Sequence, residues 1–524
     1  MLYHNYSLLR KHTVKYQLLA ASFAFIASQA HALSGKVVDN KGQAIANASI
    51  EILDANKKLT TNAQGEFSFS QQQVDEIHVK AAGYSHKVLH LHDKSSESLT
   101  IVLTPSVFEN IDVIGVPLHL SSIESAQPVS VLAGDELRSK QASTLGETLK
   151  NEVGVHSSYF GPAVSSPIIR GLDGPRVAIT QNGLDVGDAS RVGSDHVIAT
   201  EASTANQIEI LRGPATLFFG SGAIGGVINV IDDRVPSNSE EAGAFAIAHN
   251  SVANEKQISA AYTGGNEDIA FHFDGFWRDA DNYKIPGFAV AENSDDHDDH
   301  DDHDDHDDHD DDHDEHDGQH KGVLANSAAQ SQGVNLGASW LLDNGFVGLS
   351  YGRLERINDI IGHGHAGHDD DEDEDDHDDH AEEATTRSDL TQDRWQLISQ
   401  INLTDHFLSR IDTRIGYTDY QHIEVHQEGD HDDDHDEHDE HDEHDEHDGT
   451  VFSSQMIQIR VDAQHKEVAG WRGALSLEAK HTKFKAVGAE AFTSPSKTEQ
   501  VAIAIMEEKH IEDLLWQVGA RIEN

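Results

Sequence analysis

Three stretches of this chain gather most of the side chains able to do chemistry, and all three pair histidine with carboxylate. The first repeats Asp-Asp-His from Asp295 to Asp317 and presents His297, His300, His303, His306, His309, His313 and His316. The second follows His363, His365 and His368 and ends in His377 and His380. The third, Asp430 to Asp448, carries His431, His435, His438, His441, His444 and His447. Imidazole suits zinc, nickel and copper, and neighbouring carboxylates add oxygen donors and attract cations. With no cysteine and three methionines in the chain, a soft Cu(I) site is disfavoured. A divalent ion is the expected ligand: Zn2+ first, with Ni2+ or Cu2+ as alternatives. A three-residue repeat offers many equivalent donor sets in place of one rigid cage. Weak, multivalent capture is therefore expected, with protons competing as pH falls. A solvated charge run is the bland alternative. It leaves unexplained why eighteen of the 37 histidines fall within or beside the tracts.

The tracts also account for the charge. The formal net charge is -56, and the three tracts hold 39 of the 93 acidic residues, so the rest of the chain carries only about -17. Phosphate binding needs clustered Lys and Arg, so no nucleic acid is expected as a partner. The absence of cysteine excludes a disulfide framework and any thiolate metal site.

Smaller candidates lie outside the tracts. Asp195-His196 offers one oxygen and one nitrogen donor, although a lone Asp-His pair is more often a satisfied loop contact. His86, His90 and His92 alternate as on an exposed strand and could form a minor metal site. Gly220-Ser-Gly-Ala-Ile-Gly225 spells G-x-G-x-x-G, but a dinucleotide fingerprint must open a helix. Here the glycines run into Val227-Ile-Asn-Val-Ile231, a β-branched string that favours a strand. No ordered His/Asp/Glu constellation stands outside the tracts, so no catalytic role and no catalytic cofactor are expected.

The elements that position these residues are β-rich. Arg10, Lys11 and Lys15, the apolar run Leu18–Ile26 and Ala30-His-Ala32 form a secretory signal over 1–32. Residues 33–104 alternate and turn like a small β-sandwich, with Asp39–Gly42 and Asn62–Gly65 as turns. Thr144–Lys150 reads as a short helix, and Gln207–Leu211 as a strand. From Ala242 onward about eleven segments alternate with period two, as in Val334, Leu336, Ala338 and Trp340 or Trp471, Leu475 and Leu477. Apolar-out, polar-in alternation is the pattern of a transmembrane barrel strand. No later apolar run reaches the length of a membrane-spanning helix. The long connections follow the third, fifth and seventh of these segments, and short ones follow the second, fourth and sixth. All three His/acid tracts are thereby expected on one face.

Two regions carry family resemblances. Gly-x-Val-x-Asp from Gly35, Thr-x-x-x-Gly-x-Phe ending at Phe67 and Ala-x-Gly-Tyr ending at Tyr84 resemble a carboxypeptidase-regulatory-like domain. Ile168-Ile-Arg170-Gly171, then Glu209-Ile-Leu-Arg212-Gly213-Pro214-Ala, then Gly220, Gly222, Gly225 and Gly226 leading into Val-Ile-Asn-Val resemble the plug domain of TonB-dependent outer-membrane receptors. Gly183–Ser190 and Ser194-Asp-His196 are most similar to the zinc-uptake branch of that family. The resemblance implies a mainly β architecture. In order, it has a β-sandwich at 33–104, a linker at 105–118, an α+β plug at 119–236 and part of a transmembrane antiparallel barrel at 237–524. Outer loops fall at 292–320, 362–384 and 427–449. Family barrels close with 22 strands, so the sequence is expected to stop partway through one.

The resemblance further implies a TonB box at Ile111, Asp112, Val113 and Ile114, where a β-prone segment could add to a partner's sheet. TonB, outer-membrane lipid and a divalent metal ion are the implied partners. It also gives Asp195 and His196 a metal role. The expected function is import of zinc through the outer membrane into the periplasm. The rival expectations are a receptor for a haem or siderophore chelate and a surface protein that sequesters metal without transporting it.

Overall fold

The computed structural model describes residues 33–52, 57–69, 76–81, 84, 87–90, 99–103, 113–118, 128–191, 193, 196–289, 321–361, 385–403, 406–427, 449–488, 491, 493–511 and 514–524. The chain divides into two units, Met1–Asn110 and Ile111–Asn524.

The first unit is a two-sheet β domain. Leu33–Asp39 is the middle strand of a three-stranded sheet, antiparallel to Glu66–Phe69 and parallel to Leu99–Leu103. The second sheet runs Lys57–Thr60, Ser49–Ile52, Glu76–Lys80, Lys87–His90. Alternate residues from both sheets (Val37, Phe67 and Ile101; Ile50, Ile77 and Val79) meet in one buried core. Both expected turns are closed by a side chain mimicking backbone: Asp39 Oδ1 accepts from the N–H of Lys41 and Gln43, and Asn62 Oδ1 from that of Gln64 and Glu66. Two strands, Lys57–Thr60 and Lys87–His90, have too few apolar residues to stand out in the sequence. His90 lies in the second of them, while His86 and His92 fall outside the described residues.

The second unit begins with a five-stranded sheet. Its order is Leu184–Asp185, Val177–Gln181, Gly226–Ile231, Gln207–Leu211, Val129–Ala133. The β-branched string after the glycines is thus its central strand, parallel to one neighbour and antiparallel to the other, and buried along its whole length. Thr144 caps the predicted helix, observed over Leu145–Leu149, by accepting from the Glu147 N–H. Leu145 and Leu149 pack beneath the sheet with Ile169, Ile208 and Ile228.

Eleven antiparallel strands follow, paired strictly with their sequence neighbours. They are β1 (Ala242–Asn250), β2 (Glu255–Gly265), β3 (Ile269–Ala280), β4 (Ala329–Leu342), β5 (Gly345–Ile360) and β6 (Thr385–Asn402), then β7 (Leu408–Gln427), β8 (Thr450–Val468), β9 (Trp471–Val487), β10 (Ser496–Ile511) and β11 (Leu514–Glu523). The alternation holds along them. Leu475 and Leu477 of β9 are exposed on one face while Ala474 and Ser476 are buried on the other. The inward residues are polar because what they meet is polar: Gln396 of β6 donates to Gln181 O of the five-stranded sheet, and Gln458 of β8 accepts from the Asp185 N–H.

The strand count and the connection order agree with the sequence reading. Because neighbours are antiparallel, the connections after β3, β5 and β7 leave from one end of the sheet. The largest difference is β6. Its apolar alternation is visible only from Trp395 onward, whereas the strand begins at Thr385. Thr385–Asp393 has a single apolar residue, Leu390, which is buried, so apolar alternation cannot mark it; its backbone pairs with β5 and β7 all the same.

Candidate metal centre and coupling segment

β7 is hydrogen-bonded on both sides, to β6 and to β8, so its side-chain directions are fixed. Residues two apart share a face, and Tyr420, His422 and Glu424 are buried together on the inward one. Opposite them lies the loop that precedes the Gln207–Leu211 strand. Asp188 ties this loop to itself: Oδ1 accepts from the N–H and hydroxyl of Ser190, and Oδ2 from the Ala199 N–H at 2.9 Å. The tie holds His196 against β7.

Three donor groups meet there. Glu424 Oε1 lies 2.8 Å from His196 Nε2 and 3.0 Å from His422 Nε2. The ligand atoms of all three residues fall within 4.8 Å of one another. A tetrahedral zinc with bonds near 2.1 Å sets its donors about 3.4 Å apart, so small shifts of the carboxylate would admit an ion. The His422 ring stacks on Phe452 of β8, centroids 4.5 Å apart, and the Tyr420 hydroxyl lies 3.2 Å from its Nδ1. These contacts fix the ring and leave Nε2 for a ligand. The set is two imidazoles and one carboxylate, three of the four donors that a tetrahedral zinc takes.

The charge pairing of Glu424 differs from that of several other buried carboxylates. Asp185, Glu201, Asp232, Asp462 and Glu478 are each bound to a Lys or Arg side chain. Burial pushes the pKa of Asp185 up, but Lys480 and Arg191 more than offset this and hold it below the ordinary value. Glu424 is paired instead with two imidazoles, which in their neutral form are metal donors.

Of the metal candidates read from sequence, His196 is in this cluster. Asp195, the histidines of all three tracts and Ile111 and Asp112 lie outside the described residues. His422 and Glu424 are absent from the sequence reading. Their one local signal is spacing, His422-Ile-Glu424 on a period-two segment a few residues before the third tract.

The candidate coupling segment, described over 113–118, is held by contacts of its own. Val113 and Val116 are buried with Leu211, Ala215, Ala223 and Val227. Glu209, fully buried, accepts from the Ile114 N–H and Gln207 Nε2 through Oε1, and from the Gly115 N–H and Asn229 Nδ2 through Oε2. Burial pushes the Glu209 carboxyl up, against the pull of those donors. Gln464 of β8 donates to Pro117 O. To add to a partner's sheet, Val113 and Ile114 must first leave these contacts.

The glycine motif builds the floor beneath that segment. Arg170 and Gly171 turn the chain at positive φ, and Gly213 and Pro214 open the 3-10 turn Gly213–Phe219. Gly220 at φ +85° closes that turn, and Gly222, Gly225 and Gly226 return the chain to the central strand. Arg212 donates to Ser130 Oγ, and burial together with the nearby Arg170 charge lowers its pKa.

Two family descriptions match the chain: the TonB-dependent Receptor Plug Domain over residues 121–227 and the CarboxypepD_reg-like domain over residues 33–114. The second extends ten residues past the boundary expected at 104. The chain is 32% identical over 114 residues to the Vitamin B12 transporter BtuB of Photobacterium profundum, which covers 21% of this chain and 18% of that one. In fold it is similar to the Copper transporter OprC, with TM-score 0.54 and 13% identity over 75% of this chain and 55% of that one. It is also similar to the hemophore receptor HasR of Serratia marcescens, with TM-score 0.55 and 13% identity over 76% and 52%. The chain spans about half the length of these structures.

Proposed function

We propose, for a chain that carries a TonB-dependent receptor plug domain, a CarboxypepD_reg-like domain and the antiparallel sheet of a receptor barrel, that it imports a divalent transition metal, zinc, across the outer membrane. The observation that carries this reading is the His196, His422 and Glu424 cluster, where plug loop and barrel strand each contribute donors. Histidine and carboxylate are zinc ligands, and a set of three protein donors suits a cargo that must be handed on. The His/acid tracts would collect the ion outside and raise its local concentration over this site. TonB, bound through the segment at Ile111–Ile114, would supply the work of moving the plug.

Radiolabelled zinc uptake in zinc-starved cells tests the proposal, comparing the intact protein with a Val113→Pro variant. Proline removes the Val113 N–H and restricts the backbone where a partner strand would pair. Energy-dependent uptake lost in the variant is the expected result. Zinc bound at the surface without entry would support sequestration instead.

Placement in a bilayer gives a separate expectation. Leu477 faces outward from β9 and is 46% exposed. Arginine there should destabilise the folded protein by about 2–4 kcal/mol if the residue sits near the bilayer midplane, whereas arginine at a water-exposed position would cost little. Urea unfolding in lipid vesicles measures the difference.

A further inference from the structure

We infer that Glu201, gripped by Arg278 and Arg356, is a positioning residue for the metal centre, setting where His196 stands relative to His422 and Glu424. The inference rests on the zinc reading of that centre. Glu201 lies five residues after His196, in the same loop. Its carboxylate is 7% exposed. Oε1 is 3.0 Å from Arg278 Nη2 on β3, and Oε2 is 2.8 Å from Arg356 Nη2 on β5. Arg356 also donates to Thr200 O at 2.8 Å, and the Ser203 N–H to Glu201 Oε1 at 3.0 Å. Arg278 extends the grip to the Ser143 carbonyl and to Gln257 of β2.

The loop is therefore fixed to β3 and β5 on one side and faces β7 with His196 on the other. A buried ion cluster is a poor source of stability, since desolvating three charges offsets most of their attraction. What it does supply is position. Glu201 fits where both guanidinium groups reach it, and that sets the Asp188–Glu201 loop against the wall. A site made half by a loop and half by a strand loses affinity when the loop is free to drift by about an ångström, because the ligands must then be ordered by the ion itself.

The test is a double-mutant cycle on zinc affinity, measured by competition with a fluorescent chelator on the intact protein in outer-membrane vesicles. Glu201→Gln keeps the shape and removes the charge; we expect zinc binding about ten-fold weaker. In a His196→Ala background, which has lost the ligand that the clamp would position, Glu201→Gln should have no further effect. A purely structural role would weaken residual binding equally in both backgrounds, and that result would overturn the inference, as would unchanged affinity in the single variant. Arg356→Gln leaves the Arg278 pair and serves as the second variant should Glu201→Gln not assemble. Its effect should be smaller and likewise vanish without His196. If the unsubstituted protein binds no zinc, the zinc reading itself fails, a result separate from either outcome of the cycle.

Discussion

Alanine in place of His422 is expected to weaken zinc binding by roughly 100-fold, equivalent to about 2.7 kcal/mol. Three losses combine in this change. One of three donors disappears, the remaining His196–Glu424 pair cannot complete a tetrahedral set, and Glu424 loses the imidazole that orients it. Phe452 and Tyr420, which hold the His422 ring, stay in place, so the fold around the site should survive. Substitution of a tract histidine such as His303 should change little, because neighbouring repeats replace it. Isothermal titration of the two variants decides the matter. Equal affinity in both would move the principal site away from β7 and into the tracts.

Gly115→Ala should release the coupling segment. A Cβ at Gly115 would stand 2.6 Å from Glu209 Oε2 and 3.1 Å from Asn229 Nδ2, so either the carboxylate or the segment must give way. Breaking one hydrogen bond to a buried carboxylate costs about 2 kcal/mol, roughly a thirty-fold shift towards the undocked state. The chain has no cysteine, so a single Val113→Cys substitution reports the change: Val113 is 1% exposed, and its labelling by a water-soluble maleimide should accelerate. Zinc affinity should be untouched. An unchanged labelling rate would show that Glu209 does not hold the segment.

The same carboxyl gives folding a pH dependence. Burial raises the Glu209 pKa in the folded protein, against the pull of its N–H donors. Relative to the unfolded chain, its contribution to stability is complete below the ordinary carboxyl pKa and is lost as pH rises through the raised value. Urea unfolding at a series of pH values should show this contribution in the intact protein and not in a Glu209→Gln variant.

Much of this protein is determined locally and can be read from the chain. Period-two alternation requires strands with two unlike faces, which is why eleven segments could be counted and their connections placed at one end. The glycine-rich motif needs only backbone geometry that glycine alone adopts without strain, so the turn into Gly226–Ile231 was legible at Gly220. The repeated Asp-Asp-His pattern carries its chemistry in composition alone.

Long-range register decided the rest. His196 and Glu424 are 228 positions apart, and they meet because β7 is aligned by its pairing with β6 and β8 while Asp188 folds the loop back upon it. Glu209 reads in sequence as one letter of a motif. Its hold on Ile114 and Gly115, about 95 positions away, exists only once those backbone N–H groups are laid across the plug sheet. Spacing along a strand says which residues share a face, but which face they then meet is set by packing, and that is where both sites arise.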